Sequence, residues 1–223
     1  MPHLLHLDSS IGPASGPGAS RSREITATFA REWQAAAGAG ATVTHRDLVA
    51  DPLPHLLDPD LHWAPALRPE GSTPDPGAEA LQARLLEELL AADVLLVGAP
   101  LYNYSLPSTL KVWLDNVHVP GTTTPFPGHE AQPLAGRTAV VVTSRGGTYD
   151  PGTPTADWDH AVPPLQIVLG DAFGMDVRVI TTSATLSEHV EALSAGADRA
   201  RADRAAAHEQ AAALAHELAA ANL

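Results

Sequence analysis

The sequence predicts an α/β fold in which helices cover both faces of a doubly wound, five-stranded parallel sheet. Two runs, Val94-Leu-Leu-Val-Gly98 and Ala139-Val-Val-Val-Thr143, are almost continuously apolar. Such runs are typical of parallel strands that are buried on both faces. Helical patterns lie between five apolar runs, and this alternation of strand and helix predicts the layered α/β class.

The predicted elements follow one another in a regular order along the chain. The predicted strands are His3–Asp8, Ala41–Asp47, Asp93–Ala99, Thr138–Thr143 and Val177–Thr182. Helices are predicted from Arg21 to Ala37, around the leucines of 81–90, from Ser108 to Asp115 and from Leu165 to Phe173. Thr185, with Glu188 three residues later, predicts a capping box at the start of a long C-terminal helix.

Composition limits the possible classes of protein. The chain has 223 residues and a mass of 23.2 kDa, which predicts one domain over residues 1–223 with a core of its own. It has no cysteine, which excludes disulfides and thiolate nucleophiles. The net charge of −13 argues against nucleic acid or an anionic membrane as partner. No signal peptide or membrane span is visible, so we expect a cytoplasmic protein.

Residues 51–77 form a proline-rich excursion from this pattern. The segment contains seven prolines and is longer than an ordinary connection between two elements. It also carries large apolar side chains, namely Leu56, Leu57, Leu61 and Trp63. Two alternatives remain: these side chains pack against a partner subunit, or the segment folds back on its own subunit.

The loop after the first strand is rich in hydroxyl groups and glycine. Ser9 and Ser10 open it, and Ser20, Arg21 and Ser22 lie where the first helix begins. Free backbone N–H groups and the helix dipole favour a phosphate at such a position. The simpler interpretation is that Ser20 only caps the helix.

The segment 100–115 follows the third strand and carries two tyrosines around an amide. Tyr102 and Tyr104 offer ring faces, and Asn103 tolerates unusual backbone angles. Loops at the carboxyl end of a central strand are where open α/β sheets bind ligands. The alternative is that both tyrosines only pack against the next helix.

The third loop, Ser144-Arg-Gly-Gly-Thr-Tyr149, comes directly after the fourth strand. Paired glycines let the backbone approach a flat ligand closely. An ordinary turn between strand and loop is the alternative. Because the carboxyl ends of parallel strands meet at one edge of the sheet, we expect all three loops to converge there.

The three loops together resemble those of the FMN-dependent NADH:quinone oxidoreductases, or azoreductases, of the flavodoxin-like superfamily. The match in segment 100–115 runs on through Pro107, Lys111, Trp113 and Asp115, and the Ser-Arg-Gly-Gly sequence recurs at the same point. The resemblance implies a flavodoxin-like sheet in the order 2-1-3-4-5. It also implies FMN as cofactor, NADH or NADPH as electron donor and a quinone or other small aromatic molecule as acceptor.

The resemblance also implies a set of site residues. The FMN phosphate is expected near Ser10, Ser20, Arg21 and Ser22. The flavin ring is expected against Leu101, Tyr102, Asn103 and Tyr104, with its pyrimidine edge at Ser144, Arg145, Gly146 and Gly147. Asn103, Gly146 and Gly147 are the candidates for a catalytic role, because they would lie next to the reacting ring.

The chain departs from the family pattern in two regions, at 119–126 and at 157–171, where the family shapes its substrate side. Two other functions therefore remain open: a dedicated biosynthetic substrate such as a polyketide quinone, nitro or imine compound, and a non-enzymatic flavodoxin-like electron carrier. No metal site is expected, because His3 and His6 on one strand point to opposite faces. The resemblance and the excursion together predict a homodimer with its active sites near the interface.

Overall fold

The computed structural model describes residues 1–16 and 18–221, and a five-stranded parallel sheet in the order β2-β1-β3-β4-β5 lies at its centre. The strands are β1 (His3–Asp8), β2 (Thr42–Asp47), β3 (Val94–Gly98), β4 (Thr138–Ser144) and β5 (Asp176–Thr182). Each predicted strand is confirmed, with its ends within one residue of the predicted positions. The predicted fold class and strand order are confirmed as well.

Helices lie on both faces of the sheet. They are α1 (Arg21–Ala37), α2 (Pro76–Ala91), α3 (Ser108–Val117), α4 (Val162–Leu165) and α5 (Ala197–Ala221), and α4 continues into a π-helical segment, Gln166–Ala172. Helices α1 and α5 cover one face of the sheet, while α2, α3 and α4 cover the other. Nowhere in the described ranges is a helix both long and apolar enough to cross a bilayer.

Helix α1 shows how local sequence positions an element. The Ser20 hydroxyl accepts a hydrogen bond from the Arg23 N–H and so caps the helix. Ile25, Phe29 and Trp33 follow at four-residue spacing and are fully buried. Burying each of these side chains contributes about 1.5–3 kcal/mol. The cap and the apolar stripe together fix where the N-terminus of α1 points.

The segment after β5 does not form the capping box that the sequence predicts from Thr185 and Glu188. It forms two short 3-10 helices, Thr185–Glu188 and Glu191–Gly196, before α5 begins. The Thr185 hydroxyl donates to the Arg145 carbonyl at 3.2 Å, and it does not cap a helix. Ion pairs to Arg21 and Arg204, at 3.0 and 3.1 Å, hold the Glu188 carboxylate. Long-range partners therefore outcompete the local capping interaction.

The excursion at 51–77 packs partly on its own subunit. Leu61, in a short 3-10 helix (Pro59–His62), is fully buried, and its carbonyl accepts a hydrogen bond from the Gln82 amide at 2.7 Å. Trp63 contacts Phe126 edge-to-face, with ring centroids 5.4 Å apart. The expectation that Leu61 packs against a partner is wrong, because its own subunit surrounds it. Leu57, by contrast, is 89% exposed.

Candidate functional site

A cleft of about 590 Å³ opens at the carboxyl edge of the sheet. Strands β1, β3 and β4 end side by side there, with Asp8 paired to Gly98 and Gly98 paired to Val142. The loops that follow these strands supply most of the lining. The lining residues are Ser10, Ile11, Gly12, Gly18, Ala19, Ser20, Arg21, Pro100, Leu101, Tyr102, Asn103, Ser144, Gly146, Thr185, Leu186 and His189.

The first and second loops are joined by the Tyr102 hydroxyl. This hydroxyl lies 2.8 Å from the Ser10 hydroxyl and accepts a hydrogen bond from the Ile11 N–H at 3.0 Å. The Ser10 oxygen in turn accepts a hydrogen bond from the Gly12 N–H at 3.2 Å. The tyrosine therefore holds the glycine-rich loop in place, and its ring lines the cleft between the two loops.

The N-terminus of α1 faces the cleft with free donors. Within the described ranges, the backbone N–H groups of Arg21 and Ser22 have no acceptor. The Nε atom of Arg21 is also buried without a hydrogen-bond partner among the described residues. Two backbone donors and one guanidinium donor thus meet at the positive end of a helix dipole, which is an arrangement that favours an anion.

Acidic neighbours fix the orientation of the Arg21 side chain. One terminal nitrogen contacts Glu24 and the other contacts Glu188, each at 3.0 Å. The His189 ring nitrogen lies 3.4 Å from the same guanidinium. The guanidinium is therefore held in one position, with both terminal nitrogens paired and its buried Nε–H without a described partner.

The turn at Tyr102–Ser105 places two residues in the left-handed region of backbone space. Asn103 has φ of 48° and Tyr104 has φ of 68°. Reciprocal backbone hydrogen bonds between Tyr102 and Ser105, both 3.0 Å, close the turn. Asparagine adopts this conformation readily, whereas a tyrosine does so at a cost of about 1–2 kcal/mol. Strain of this kind is concentrated at functional sites.

The divergent segment at 157–160 supports that strained turn. The Tyr104 carbonyl accepts a hydrogen bond from the His160 N–H at 2.9 Å, and the Tyr104 ring meets Trp158 edge-to-face at 5.4 Å. About half of each aromatic side chain is exposed. The segment therefore forms an aromatic rim beside Asn103, on the outer side of the cleft.

The glycine loop after β4 is fixed by the chain that follows β5. The Gly147 carbonyl accepts from the Ala184 N–H at 2.9 Å, and the Gly146 carbonyl accepts from the Leu186 N–H at 3.2 Å. In the described part of the chain, the N–H groups of Gly146 and Gly147 have no acceptor. A β-carbon at Gly146 would lie 2.8 Å from the Leu186 side chain, so a larger residue here would have to displace that leucine.

The cleft brings together most of the site residues expected from the sequence. Eight of them line it, namely Ser10, Ser20, Arg21, Leu101, Tyr102, Asn103, Ser144 and Gly146. The other four, Ser22, Tyr104, Arg145 and Gly147, lie just behind or beside it. Ser22 is fully buried under the first turn of α1. Arg145 is turned away from the cleft by Asp159, which lies 2.5 Å from its terminal nitrogen.

Sequence reasoning missed the fourth loop of the cleft. Thr185, Leu186 and His189 line it from the segment after β5, the strand next to β4 in the sheet. Their residue types carry no motif, and the local sequence around Thr185 predicts only a helix cap. The topological rule alone could have found them, because every strand of a parallel sheet sends its following loop to the same edge.

The fold and the position of the cleft first define the structural class of this protein. The sequence profile of the flavodoxin-like fold matches residues 2–215. The azoreductase of Bacillus anthracis str. Sterne superposes with a TM-score of 0.79 at 22% identity, over 97% of this chain and 100% of that one. An FMN-dependent NADH-azoreductase from Bacillus anthracis str. Ames Ancestor, in complex with FMN, superposes with a TM-score of 0.76 at 17% identity, over 96% and 100% of the two chains. At these identities the two structures establish the fold.

Sequence relatives narrow the class to a family. An FMN-dependent NADH:quinone oxidoreductase of Kineococcus radiotolerans is 56% identical over 218 residues, which cover 98% of this chain and 100% of the relative. One of Streptomyces avermitilis is 43% identical over 220 residues, 98% of either chain. The chain belongs to the FMN-dependent NADH:quinone oxidoreductase and azoreductase family of the flavodoxin-like fold.

Proposed function

We propose that this protein is an FMN-dependent NADH:quinone oxidoreductase with azoreductase-like activity. The observation that carries the proposal is the convergence of free backbone donors and an aromatic turn in one cleft, at the edge where open α/β sheets bind nucleotides. A relative that is 56% identical over 98% of this chain bears this name.

The residues of the cleft fit FMN in volume and in polarity. A space of about 590 Å³ is within the range of ordinary cofactor sites. The free N–H groups of Arg21 and Ser22, with the orphaned Nε of Arg21, fit a phosphate. At the other end, the free N–H groups of Asn103, Gly146 and Gly147 fit the polar edge of a flat ring system.

The flavin, when bound, supplies the redox chemistry, accepting a hydride from a nicotinamide and passing two electrons to the acceptor. The residues of the cleft would orient the flavin and adjust its electronic properties. We assign phosphate binding to Ser10, Ser20 and the N-terminus of α1. We assign the ring's polar edge to the donors of Ser144, Gly146 and Gly147, which would stabilise negative charge there. Arg145 is not among them, because its N–H donates to the Thr182 carbonyl and its guanidinium pairs with Asp159. Leu101, Tyr102, Asn103 and Tyr104 would pack beside the ring and exclude water.

The order of the two half-reactions follows from the shape of the site. A flavin bound in this single cleft of about 590 Å³ would leave little room for donor and acceptor together. NADH and the quinone would therefore occupy the same space in turn. We propose a ping-pong mechanism with NADH or NADPH as donor, in which protons come from solvent.

One experiment tests the function directly. Flavin-free protein is titrated with FMN and followed by quenching of flavin fluorescence, then assayed for quinone reduction by NADH at several quinone concentrations. We expect one FMN per chain and parallel double-reciprocal lines. Absence of FMN binding contradicts the proposal. Fast flavin reduction by NADH without turnover of simple quinones would favour a dedicated substrate, and slow reduction would favour an electron carrier.

We further propose that residues 1–223 form one cytoplasmic FMN-binding domain that works as a homodimer with two active sites near the interface. The excursion at 51–77 motivates this proposal, because it is longer than an ordinary connection and leaves Leu57 89% exposed. Closed two-fold contacts are the commonest form of soluble oligomer. Light scattering is expected to give twice 23.2 kDa. An active species at the monomer mass contradicts the dimer and leaves the redox function untouched.

A further inference from the structure

A second cavity, of about 690 Å³, lies outside the cofactor cleft between α1 and the β2 edge of the sheet. The small side chains of Ala27, Ala30 and Ala35 leave it open on the side of α1. Its polar residues come from β1, from β2 and from α1: His6, Asp8, Arg23, Arg31, Gln34, His45 and Asp47. Nothing in the proposed redox function uses this space.

Strand register brings three potential ligands together in this cavity. His6 and His45 are direct neighbours across β1 and β2, and Asp8 lies two residues after His6 on the same face. One ligand atom from each residue lies within 4.8 Å of the other two. The Asp8 Oδ2 atom is 3.4 Å from His6 Nε2 and 3.0 Å from His45 Nε2.

These separations fit a tetrahedral metal ion. Zinc bonds to imidazole nitrogen and carboxylate oxygen at about 2.0–2.2 Å, which places neighbouring ligand atoms roughly 3.4 Å apart. Two imidazole nitrogens with one carboxylate oxygen suit zinc and similar transition metals, whereas magnesium and calcium prefer oxygen ligands only. The ligand types of this cluster therefore favour zinc and similar transition-metal ions over magnesium and calcium.

The ligands are oriented in advance. The Thr26 hydroxyl donates to Asp8 Oδ1 at 3.0 Å, so Oδ2 is the carboxylate oxygen that faces the two histidines. Such outer contacts fix first-shell ligands in metal proteins. The His6 side chain is only 8% exposed, and its Nε2 atom has no hydrogen-bond partner within the described ranges. A buried nitrogen of this kind costs free energy until something binds it.

The neighbouring cation does not occupy the position between the ligands. Arg23 lies 3.6 Å from Asp8 Oδ2, beyond hydrogen-bonding distance, and its guanidinium is engaged elsewhere. It donates to both carboxylate oxygens of Asp47, at 2.7 and 2.8 Å, and to the Ser10 carbonyl at 2.7 and 3.1 Å. These four hydrogen bonds hold the arginine at the rim of the cluster.

We propose that His6, Asp8 and His45 bind a divalent transition-metal ion of the zinc class, one per chain. The fourth coordination position faces the cavity and is open to water or to a small ligand. The site is separate from the cofactor cleft, although Arg23 touches both the cluster and the Ser10 loop.

Isothermal titration of the flavin-loaded protein with zinc tests the site. The informative variant is His45→Gln, because β2 is an edge strand and the His45 side chain is 48% exposed, so the change leaves the core intact. The matched control is His3→Gln, which removes a histidine of β1 whose ring contacts the Thr42 hydroxyl at 2.7 Å. His6→Gln provides a second ligand variant.

We expect one zinc ion per chain in the wild type and in His3→Gln. Loss of even an outer-shell partner weakens metal binding about 10- to 100-fold, so we expect His45→Gln to weaken it about 100-fold or more. X-ray absorption at the zinc edge should show imidazole scattering, and magnesium should not compete. Wild-type protein without stoichiometric zinc, or equal affinity in wild type and His45→Gln, overturns the site. Normal FMN content in that case leaves the proposed function standing.

Discussion

The cofactor cleft and the histidine cavity lie on either side of the N-terminus of α1, yet their polar groups are organised in opposite ways. In the cleft, the donors of Arg21, Ser22 and Gly146 point to a space in which no protein acceptor is described. In the cavity, charges of the chain largely satisfy one another, since Arg23 pairs with Asp47 at 2.7 Å. A site for a large organic anion needs free donors, whereas a site for a small cation needs convergent lone pairs.

The cavity also differs from the cleft in its electrostatics, because charged side chains surround Asp8. Burial alone would raise the pKa of Asp8. The hydrogen bond with the His45 ring at 3.0 Å, together with the nearby His6 and the charge of Arg23, more than offsets burial and holds the pKa of Asp8 well below its usual range. Asp8 therefore remains an anion within the protein. At the ring end of the cleft, by contrast, the described donors are backbone N–H groups, and the nearby Arg145 is neutralised by Asp159.

Arg23 contacts both the cavity and the Ser10 loop of the cleft. We therefore expect its substitution to have the largest effect of the variants considered. Arg23→Met leaves the carboxylates of Asp8 and Asp47 without their cation, and loss of one member of a buried pair costs about 3–5 kcal/mol. Because Asp47 is 27% exposed, we expect about 3 kcal/mol, measured by urea denaturation. We also expect weaker FMN binding, since the Ser10 carbonyl loses two donors. Unchanged stability would show that the two regions are not coupled through this side chain.

A substitution confined to the cleft is the next largest test. Gly146→Val places a branched side chain where a β-carbon alone would lie 2.8 Å from Leu186. We expect FMN affinity to fall about 100-fold, or roughly 2.7 kcal/mol, in a fluorescence titration. Zinc binding in the cavity should stay at the wild-type level.

Gly147→Val identifies which glycine is in contact with the ligand. A β-carbon there meets only Tyr149, at 3.9 Å, and the residue does not line the cleft. The chain itself therefore tolerates the change. A smaller loss of affinity than in Gly146→Val is expected, and an equal or larger loss would show that the ligand lies against Gly147 as the sequence predicted.

Tyr102→Phe tests the connection between the first two loops. It removes the hydroxyl that bridges Ser10 and the Ile11 N–H. Each such hydrogen bond is worth about 0.5–1.5 kcal/mol, so we expect FMN affinity to fall about ten-fold. Tyr104→Phe is the matched control, because its hydroxyl has no hydrogen bond within the described ranges. Equal effects in both variants would contradict the bridging role.

The smallest effect is a pH dependence in the cavity. The hydrogen bond from Arg23 holds the pKa of Asp47 below its usual value of 3.8. The pair therefore contributes its full stability above about pH 4 and loses it as pH falls through the lowered pKa. The stability difference between wild type and Arg23→Met should shrink as pH falls below 4. A difference that does not change with pH would indicate a packing effect only.

The sequence determined the elements and the three loops that carry recognisable chemistry. Apolar runs of Val and Leu define β3 and β4, and Ser20 with Ile25, Phe29 and Trp33 defines α1. These signals are local, because they depend on periodicity and on a cap within a few residues. The rule that parallel strands send their loops to one edge then predicts the position of the cleft.

Only the tertiary structure decided which side chains face the ligand spaces. Asp159 turns Arg145 out of the cleft, and the carbonyls of Gly146 and Gly147 fix the segment that begins at Thr185. The pairing of His6 with His45 depends on strand register, which brings together residues 39 positions apart. Ion pairs, register and backbone hydrogen bonds between distant residues are properties of the packed chain. No local pattern in the sequence encodes them, and the cavity beneath α1 therefore appears only when the sheet is assembled.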